Sequence, residues 1–355
     1  MERTVRVGIV GAGGIANLHH IPSLLKHPSA RIAAVCDVNP EAAQETARRH
    51  GIPEVYADYR DLVSRASVDA VAVCTSNDQH APASLAAMER GLHVLCEKPL
   101  ALNAGEAREL AQTAASAGVI TAVNFSYRQN PAVRFIKDVV DSGDLGTIYQ
   151  VSFQYLQGYL ADPETPIREA TAWRVQKRLA GLGVLGDLGS HLVDLARFWF
   201  GEIDAVQALQ RTFVTRRPLL DGGTVEVDGD DVTMALLHFA SGTVGTLQTS
   251  WSAAPWGNHQ RVEIYGSRGS IVYENEDQRT IRAVFGAPML KYRTLAPIPV
   301  PQRYHDTATT HPQAFVDAVL KGEAYTPGFA DGARCQLVLD TIARAAEEGT
   351  LLAVE

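Results

Sequence analysis

Val5-Arg6-Val7-Gly8-Ile9-Val10-Gly11-Ala12-Gly13-Gly14-Ile15-Ala16 decides the fold of the first part of this chain. Six mostly apolar residues read as a short buried strand. They run straight into a G-x-G-x-x-A turn, the dinucleotide-binding fingerprint. Gly11 permits the tight turn, Gly13 lets the backbone approach a pyrophosphate, and Ala16 is small enough for a helix to pack closely on the strand. The start of that helix offers backbone donors and a positive dipole end to the anion. A second apolar run, 31–36, ends on Asp37, about 20 residues past Ala16, the spacing of an acid that binds ribose hydroxyls. A carboxylate there accepts from both hydroxyls of NAD and repels the 2′-phosphate of NADP. Val38 follows, where an NADP site often carries a cation. NAD is the cofactor this pattern favours.

Working outward, strands are expected at 5–10, 31–36, 69–74, 92–96 and 119–123, with helices between them such as 40–50 and 81–90. Strands alternating with helices imply a doubly wound parallel sheet, with ligands bound beyond the carboxyl ends of the strands. Asp37, Thr75 to Asn77 and Glu97-Lys98 all occupy strand exits. After about Phe125 the pattern changes. A helix at 131–141 is followed by strands at 148–155 and 205–214, then by hairpins 233–239/243–251 and 261–265/270–274. A helix pair at 311–321 and 329–348 closes the chain, while 297–301 and 221–229 read as loops. The expected class is α/β: a Rossmann domain at 1–125, then an α+β domain with a large, mostly antiparallel sheet at 126–355.

The 355 residues suffice for two such cores. A net charge of −8 argues against nucleic acid or anionic membrane as a partner. No apolar run reaches the ~18 residues of a membrane span, and the N-terminus lacks a signal-peptide layout, so a cytoplasmic location is expected. Cys36, Cys74, Cys96 and Cys335 are scattered without a C-x-x-C pair. They suggest neither a disulfide nor a metal site.

Two constellations carry the chemistry. In Val94-Leu95-Cys96-Glu97-Lys98-Pro99 an apolar strand ends on a lysine held between a carboxylate and a proline. Proline restricts the residue before it, and a lysine at the mouth of a buried strand can lose hydration and exchange a proton. In Gly181–Trp199, Asp187 and His191 stand four apart, and His191 and Asp194 three apart, so all three can share one helical face with Leu188, Leu192, Leu195 and Trp199 buried opposite. A histidine flanked by carboxylates can serve as a general base. A satisfied core histidine at a capped helix start fits the same spacing.

The chain resembles the glucose–fructose oxidoreductase/inositol dehydrogenase (Gfo/Idh/MocA) family. The likeness rests on the fingerprint, Cys74-Thr75-Ser76-Asn77 with His80, Glu97-Lys98-Pro99, and Asp187-Leu188-Gly189-Ser190-His191 with Asp194. Ser76 departs from the proline of many relatives. The resemblance implies that Lys98 is the central catalytic lysine, His191 the acid/base and Asp187 the residue orienting a substrate hydroxyl. It also implies a cis peptide before Pro99. Gly11, Gly13, Gly14, Ile15 and Asp37 would bind the cofactor, as would Thr75, Asn77, His80, Glu97, Lys98 and Asn124. Trp173-Arg174 would stand at the cofactor–substrate junction, with Arg128, Tyr155 and Trp173 joining Lys98, Asp187 and His191 around the substrate. The implied activity is NAD-dependent oxidation of a secondary alcohol of a sugar, sugar derivative or cyclitol, in a homodimer or homotetramer. Two alternatives stay open: an NAD-dependent glycosidase acting by transient oxidation, and a non-catalytic NAD- or sugar-sensing regulator.

Overall fold

The computed structural model describes residues 3–285 and 294–355, in two compact units. One comprises Met1–Ser126 with Thr309–Gln336, the other Tyr127–Ala308 with Leu337–Glu355. The expected second domain, 126–355, therefore gives up one segment to the first unit. Helix His311–Lys321 buries Phe315, Val316 and Val319 in the same cluster as Val5, Val7 and Ile9. Burying three large side chains outweighs continuity along the chain.

The first unit is built on a parallel sheet of β1 (Val5–Val10), β2 (Ala30–Cys36), β3 (Glu54–Tyr56), β4 (Ala70–Val73), β5 (His93–Cys96) and β6 (Thr121–Val123). Their order, β3-β2-β1-β4-β5-β6, reverses between β1 and β4. That reversal leaves a crevice beyond the carboxyl ends of these two strands. The five expected strands are all present. The sixth, β3, pairs only three residues on an edge, too few to mark themselves by periodicity. Helix Pro40–His50 has the expected bounds, its start fixed by Asn39, whose side chain accepts the backbone N–H groups of Glu41 and Ala42.

The second unit contains β7 (Ile148–Leu156), β8 (Ile203–Arg211), a small ribbon of β9 (Arg216–Pro218) with β10 (Thr224–Glu226), and β11 (Val232–Phe239) with β12 (Val244–Ser250). Then come β13 (His259–Gly266), β14 (Gly269–Glu274), β15 (Thr280–Phe285), β16 (Ala296–Pro299) and β17 (Leu352–Ala353). The main sheet runs β16-β15-β14-β13-β7-β12-β11-β8-β17. It is mostly antiparallel, as expected, but β7 and β12 pair in parallel. Two segments expected as loops are strands. Pro297 and Pro299 belong to β16, whose terminal place in the sheet tolerates prolines without N–H donors. Thr224–Glu226 lies within 221–229 and pairs with β9.

Side chains alternate sharply along β11: Ala235, Leu237 and Phe239 are buried, while Met234, Leu236 and His238 are exposed. Helix Ser190–Phe200 covers the buried face, stacking Trp199 on Phe153 of β7 at 6.3 Å. The stretch Lys177–Phe200 is, by length and composition, apolar enough to cross a membrane, contrary to the sequence expectation; 78% of its apolar window is buried inside the protein. It is a core element interrupted at Gly181, whose φ is +78°.

Candidate active site

In the first unit the geometry starts from Gly11. Its φ is +96°, and a Cβ there would lie 2.8 Å from the carbonyl carbon of Cys74, so no other residue fits where β1 and β4 end. Gly13 and Gly14 have no atom within 4 Å of where a Cβ would project. The loop thus presents bare backbone, followed by a helical run over 14–25 that includes a π-helical stretch, Ala16–His20. Asp37 is held in place: one oxygen accepts the Ala12 N–H at 2.7 Å and the other the Asn39 N–H at 2.8 Å. Val38 beside it is 92% exposed and offers no charge to a 2′-phosphate. Thr75 at the exit of β4 buries its Oγ1 without a hydrogen-bond partner, and Asn77 is buried next to it. Bare backbone, a fixed acid and an unmet buried hydroxyl fit a dinucleotide.

The Glu97-Lys98-Pro99 tripeptide leaves β5 with a cis peptide before Pro99, as expected. Glu97 is buried. Its Oε1 receives His20 Nε2 at 2.6 Å and Asn124 Nδ2 at 2.6 Å, and its Oε2 accepts the Lys98 backbone N–H at 3.2 Å. Burial alone would raise the carboxyl. The hydrogen bond and charge of His20, the charge of Lys98 and the Asn124 hydrogen bond outweigh it and bring Glu97 down to about 2. Lys98 is half-buried beside this fixed charge. His80 takes a different place from the expected one. Its two nitrogens face the carbonyls of Pro99 at 2.7 Å and Thr75 at 3.3 Å; burial lowers its basicity, and the neutral ring has one N–H to donate between them.

His20 was not legible as a site residue. The available signal was the buried helical stripe Ala16, His20, Ser23 and Leu24, which puts an imidazole among small and apolar side chains.

In the second unit, Asp230 organises the Gly181–His191 region. Its carboxylate accepts the backbone N–H groups of Gly183 at 2.9 Å and Leu185 at 3.0 Å, and the Thr233 hydroxyl at 2.6 Å. Gly183 must be glycine, because a Cβ there would lie 2.3 Å from the Asp230 nitrogen. Burial pushes the Asp230 carboxyl up, against those three donors. A π-helical turn, Leu185–Gly189, carries Asp187, and helix Ser190–Phe200 follows with Leu188, Leu192, Leu195 and Trp199 all buried. His191 is 8% exposed, with its ring edge-to-face with Tyr127 at 4.7 Å.

Arg128, expected at the substrate, is buried and forms a two-pronged ion pair with Asp194, Nε to Oδ2 at 2.8 Å and Nη2 to Oδ1 at 2.6 Å. Asp194, three residues after His191 on the same helix, directs both carboxylate oxygens to that guanidinium. Tyr155 lies close to His191, at 6.1 Å between ring centroids, but its hydroxyl meets the Tyr127 hydroxyl at 2.7 Å and donates to Asn258 Oδ1 at 2.6 Å. Burial, then Tyr127, raises Tyr155 far beyond titration near neutrality. Tyr159 is raised by burial and by the charge of Asp187, with Arg174 and Arg217 opposing. Arg174 stacks over the half-buried Trp173 ring at 4.5 Å. Tyr127, Asn258 and Asp230 escaped sequence reasoning; Asp230-Asp231 opening β11 was the visible clue.

Residues 5–125 match the family profile described as the oxidoreductase family, NAD-binding Rossmann fold. Residues 133–272 match the GFO/IDH/MocA C-terminal domain. Levoglucosan dehydrogenase of Pseudarthrobacter phenanthrenivorans is 32% identical, over 97% of this chain and 96% of that protein. This chain belongs to the Gfo/Idh/MocA family. Within the family, myo-inositol 2-dehydrogenase of Thermotoga maritima is 27% identical over 92% of both chains. The structure of levoglucosan dehydrogenase in complex with NADH and levoglucosan superposes with a TM-score of 0.90 at 30% identity, covering 99% of this chain and 100% of that one. This Gfo/Idh/MocA member is accordingly an NAD-binding oxidoreductase, and bound NAD would be held by the Gly11–Ile15 loop, Asp37 and Thr75.

Two consequences can be measured. Arg128→Ala removes the two-pronged guanidinium partner of the buried Asp194 charge, so it should cost about 3–5 kcal/mol in urea unfolding. Unchanged stability with a raised KM would return Arg128 to the substrate. For Glu97, the folded value of about 2 lies below the ordinary 4.5. Its stabilisation is complete above about pH 4.5 and is lost as pH falls toward about 2. The stability gap between wild type and Glu97→Gln should therefore shrink on acidification across that window; a constant gap would contradict the assignment.

Proposed function

We propose that this oxidoreductase removes hydride from a secondary alcohol carbon of a pyranose, anhydrosugar or cyclitol, with Lys98 and His191 as the acid–base pair and Asp187 orienting the reacting hydroxyl. The observation that carries the reading is where the reactive groups stand: Lys98 directly after the buried, ionised Glu97 in one unit, and His191 one helical turn after Asp187 in the other. Sugar and inositol dehydrogenases among the relatives support the substrate class, with levoglucosan the first candidate.

Bound NAD supplies the hydride acceptor. The chain manages the proton. A secondary alcohol is too weak an acid to lose hydride at neutral pH unless its hydroxyl proton is taken as the C–H bond breaks. The His191 imidazole receives that proton, and Lys98 donates a hydrogen bond to the oxygen as negative charge grows on it. Trp173 offers a ring face to the apolar side of a sugar.

We further propose that copies of the chain associate through the open face of the large sheet. Leu209, paired in register with Met234, and Leu236 two residues along expose 62%, 49% and 49% of their surface there. Such a run of apolar surface is characteristic of a covered face.

Lys98→Ala and His191→Ala should each lower turnover at least about a hundredfold while NADH binding, followed by fluorescence, persists. An NADH-absorbance screen of levoglucosan, inositols, free hexoses and glycosides tests the substrate class. Glycoside turnover without NADH accumulation would replace dehydrogenation with the glycosidase reading. Met234→Lys with Leu236→Lys should reduce the sedimentation-derived mass to that of one chain, and an unaltered mass would refute association through this face.

A further inference from the structure

The proposed reaction has no use for His20, yet this imidazole is 0% exposed and sits against the catalytic tripeptide. Its Nε2 lies 2.6 Å from Glu97 Oε1, an oxygen that also accepts Asn124 Nδ2 at 2.6 Å. The other oxygen of Glu97 holds the Lys98 backbone N–H. The carboxylate therefore has three partners: an imidazole on the glycine-loop helix and the Asn124 amide at one oxygen, and the peptide that carries the lysine at the other. We propose that His20 is a positioning residue for Lys98: it holds Glu97 ionised and oriented, and through Glu97 it fixes the Lys98 main chain and keeps a negative charge beside the ammonium. This deepens the reading of Lys98 as catalytic, and rests on it.

The physics requires such a partner. An ionised carboxylate buried at this depth is costly unless hydrogen-bonded and charge-paired. The groups whose charges face Glu97 are few. His19 and His20 come from the glycine-loop helix, Cys74 from the exit of β4, His80 from the following helix, and Cys96 and Lys98 from its own segment. Cys74 and Cys96 are buried thiols held far from ionisation. Burial lowers the basicity of His19 and His80. Without His20, Glu97 retains only Asn124 and Lys98 against full desolvation, and its proton affinity climbs toward neutrality. A protonated Glu97 neither balances the ammonium nor accepts the Lys98 N–H as strongly.

The test uses the NADH-bound protein with His20→Leu, His20→Gln, Glu97→Gln, the His20→Leu/Glu97→Gln double variant and Lys98→Met. Hydrogen exchange at the Lys98 amide, read by fragment mass spectrometry, needs no substrate. His20→Leu should speed it by about tenfold or more while NADH affinity stays within about threefold. With levoglucosan as the probe, kcat of His20→Leu should gain an acid limb between about pH 5 and 8. His20→Gln, which can bring an amide donor to Oε1, should restore much of both. The effects of His20→Leu and Glu97→Gln should not add, because each acts through the same bond. Unchanged Lys98 exchange, or full additivity, overturns the proposal. Should His20→Leu fail to fold, His20→Asn, too short to reach Oε1, is read against His20→Gln by the same criteria. An active Lys98→Met would instead overturn the functional reading, and the exchange result would still decide whether His20 anchors the peptide.

Discussion

The cofactor-binding unit depends on one steric constraint, the contact between the end of β1 and the end of β4. At Gly11 the chain turns with a positive φ while passing within 2.8 Å, measured from the position a Cβ would occupy, of the Cys74 carbonyl carbon. A methyl group there would drive the two strand exits apart. Because the strand order reverses at this place, those exits define the crevice into which Asp37 and Thr75 are delivered. The sheet supplies the positions, and a missing side chain makes the approach possible.

Lys98 and the Asp187–His191 segment rest on buried polar scaffolds whose energetics oppose simple burial. Glu97 stays ionised at a depth where an isolated carboxylate would be neutral, since three donors converge on it. Asp230 is also buried, and its donors come mainly from backbone at the start of the segment that bears Asp187 and His191. One carboxylate orients a peptide, while the other organises the entry to a helix. Each fixes its neighbours through main-chain donors.

What the sequence disclosed and what it concealed divides along separation in the chain. Gly11, Gly13, Asp37 and the helices at 40–50 and 131–141 were legible because their causes lie within a turn or two: a positive φ, a capping asparagine, a proline at the first helical position. The Glu97-Lys98-Pro99 and Asp187–His191 boxes were legible as compact groups of chemically unusual neighbours. The partners of those boxes were not. His20 meets Glu97 across 77 positions, and Arg128 meets Asp194 across 66, and no local pattern announces such pairings. The same holds for the return of Thr309–Gln336 to the first unit and for the parallel pairing of β7 with β12, where tertiary burial chooses among locally equivalent options.

His80 has a mechanical consequence. Wedged between the carbonyls of Pro99 and Thr75, its ring packs the loop after β5 and the loop after β4 against one rigid body. An imidazole has few internal degrees of freedom, and this one is wholly enclosed. Displacement of either loop is therefore transmitted to the other, and the two flanks of the crevice shift in concert.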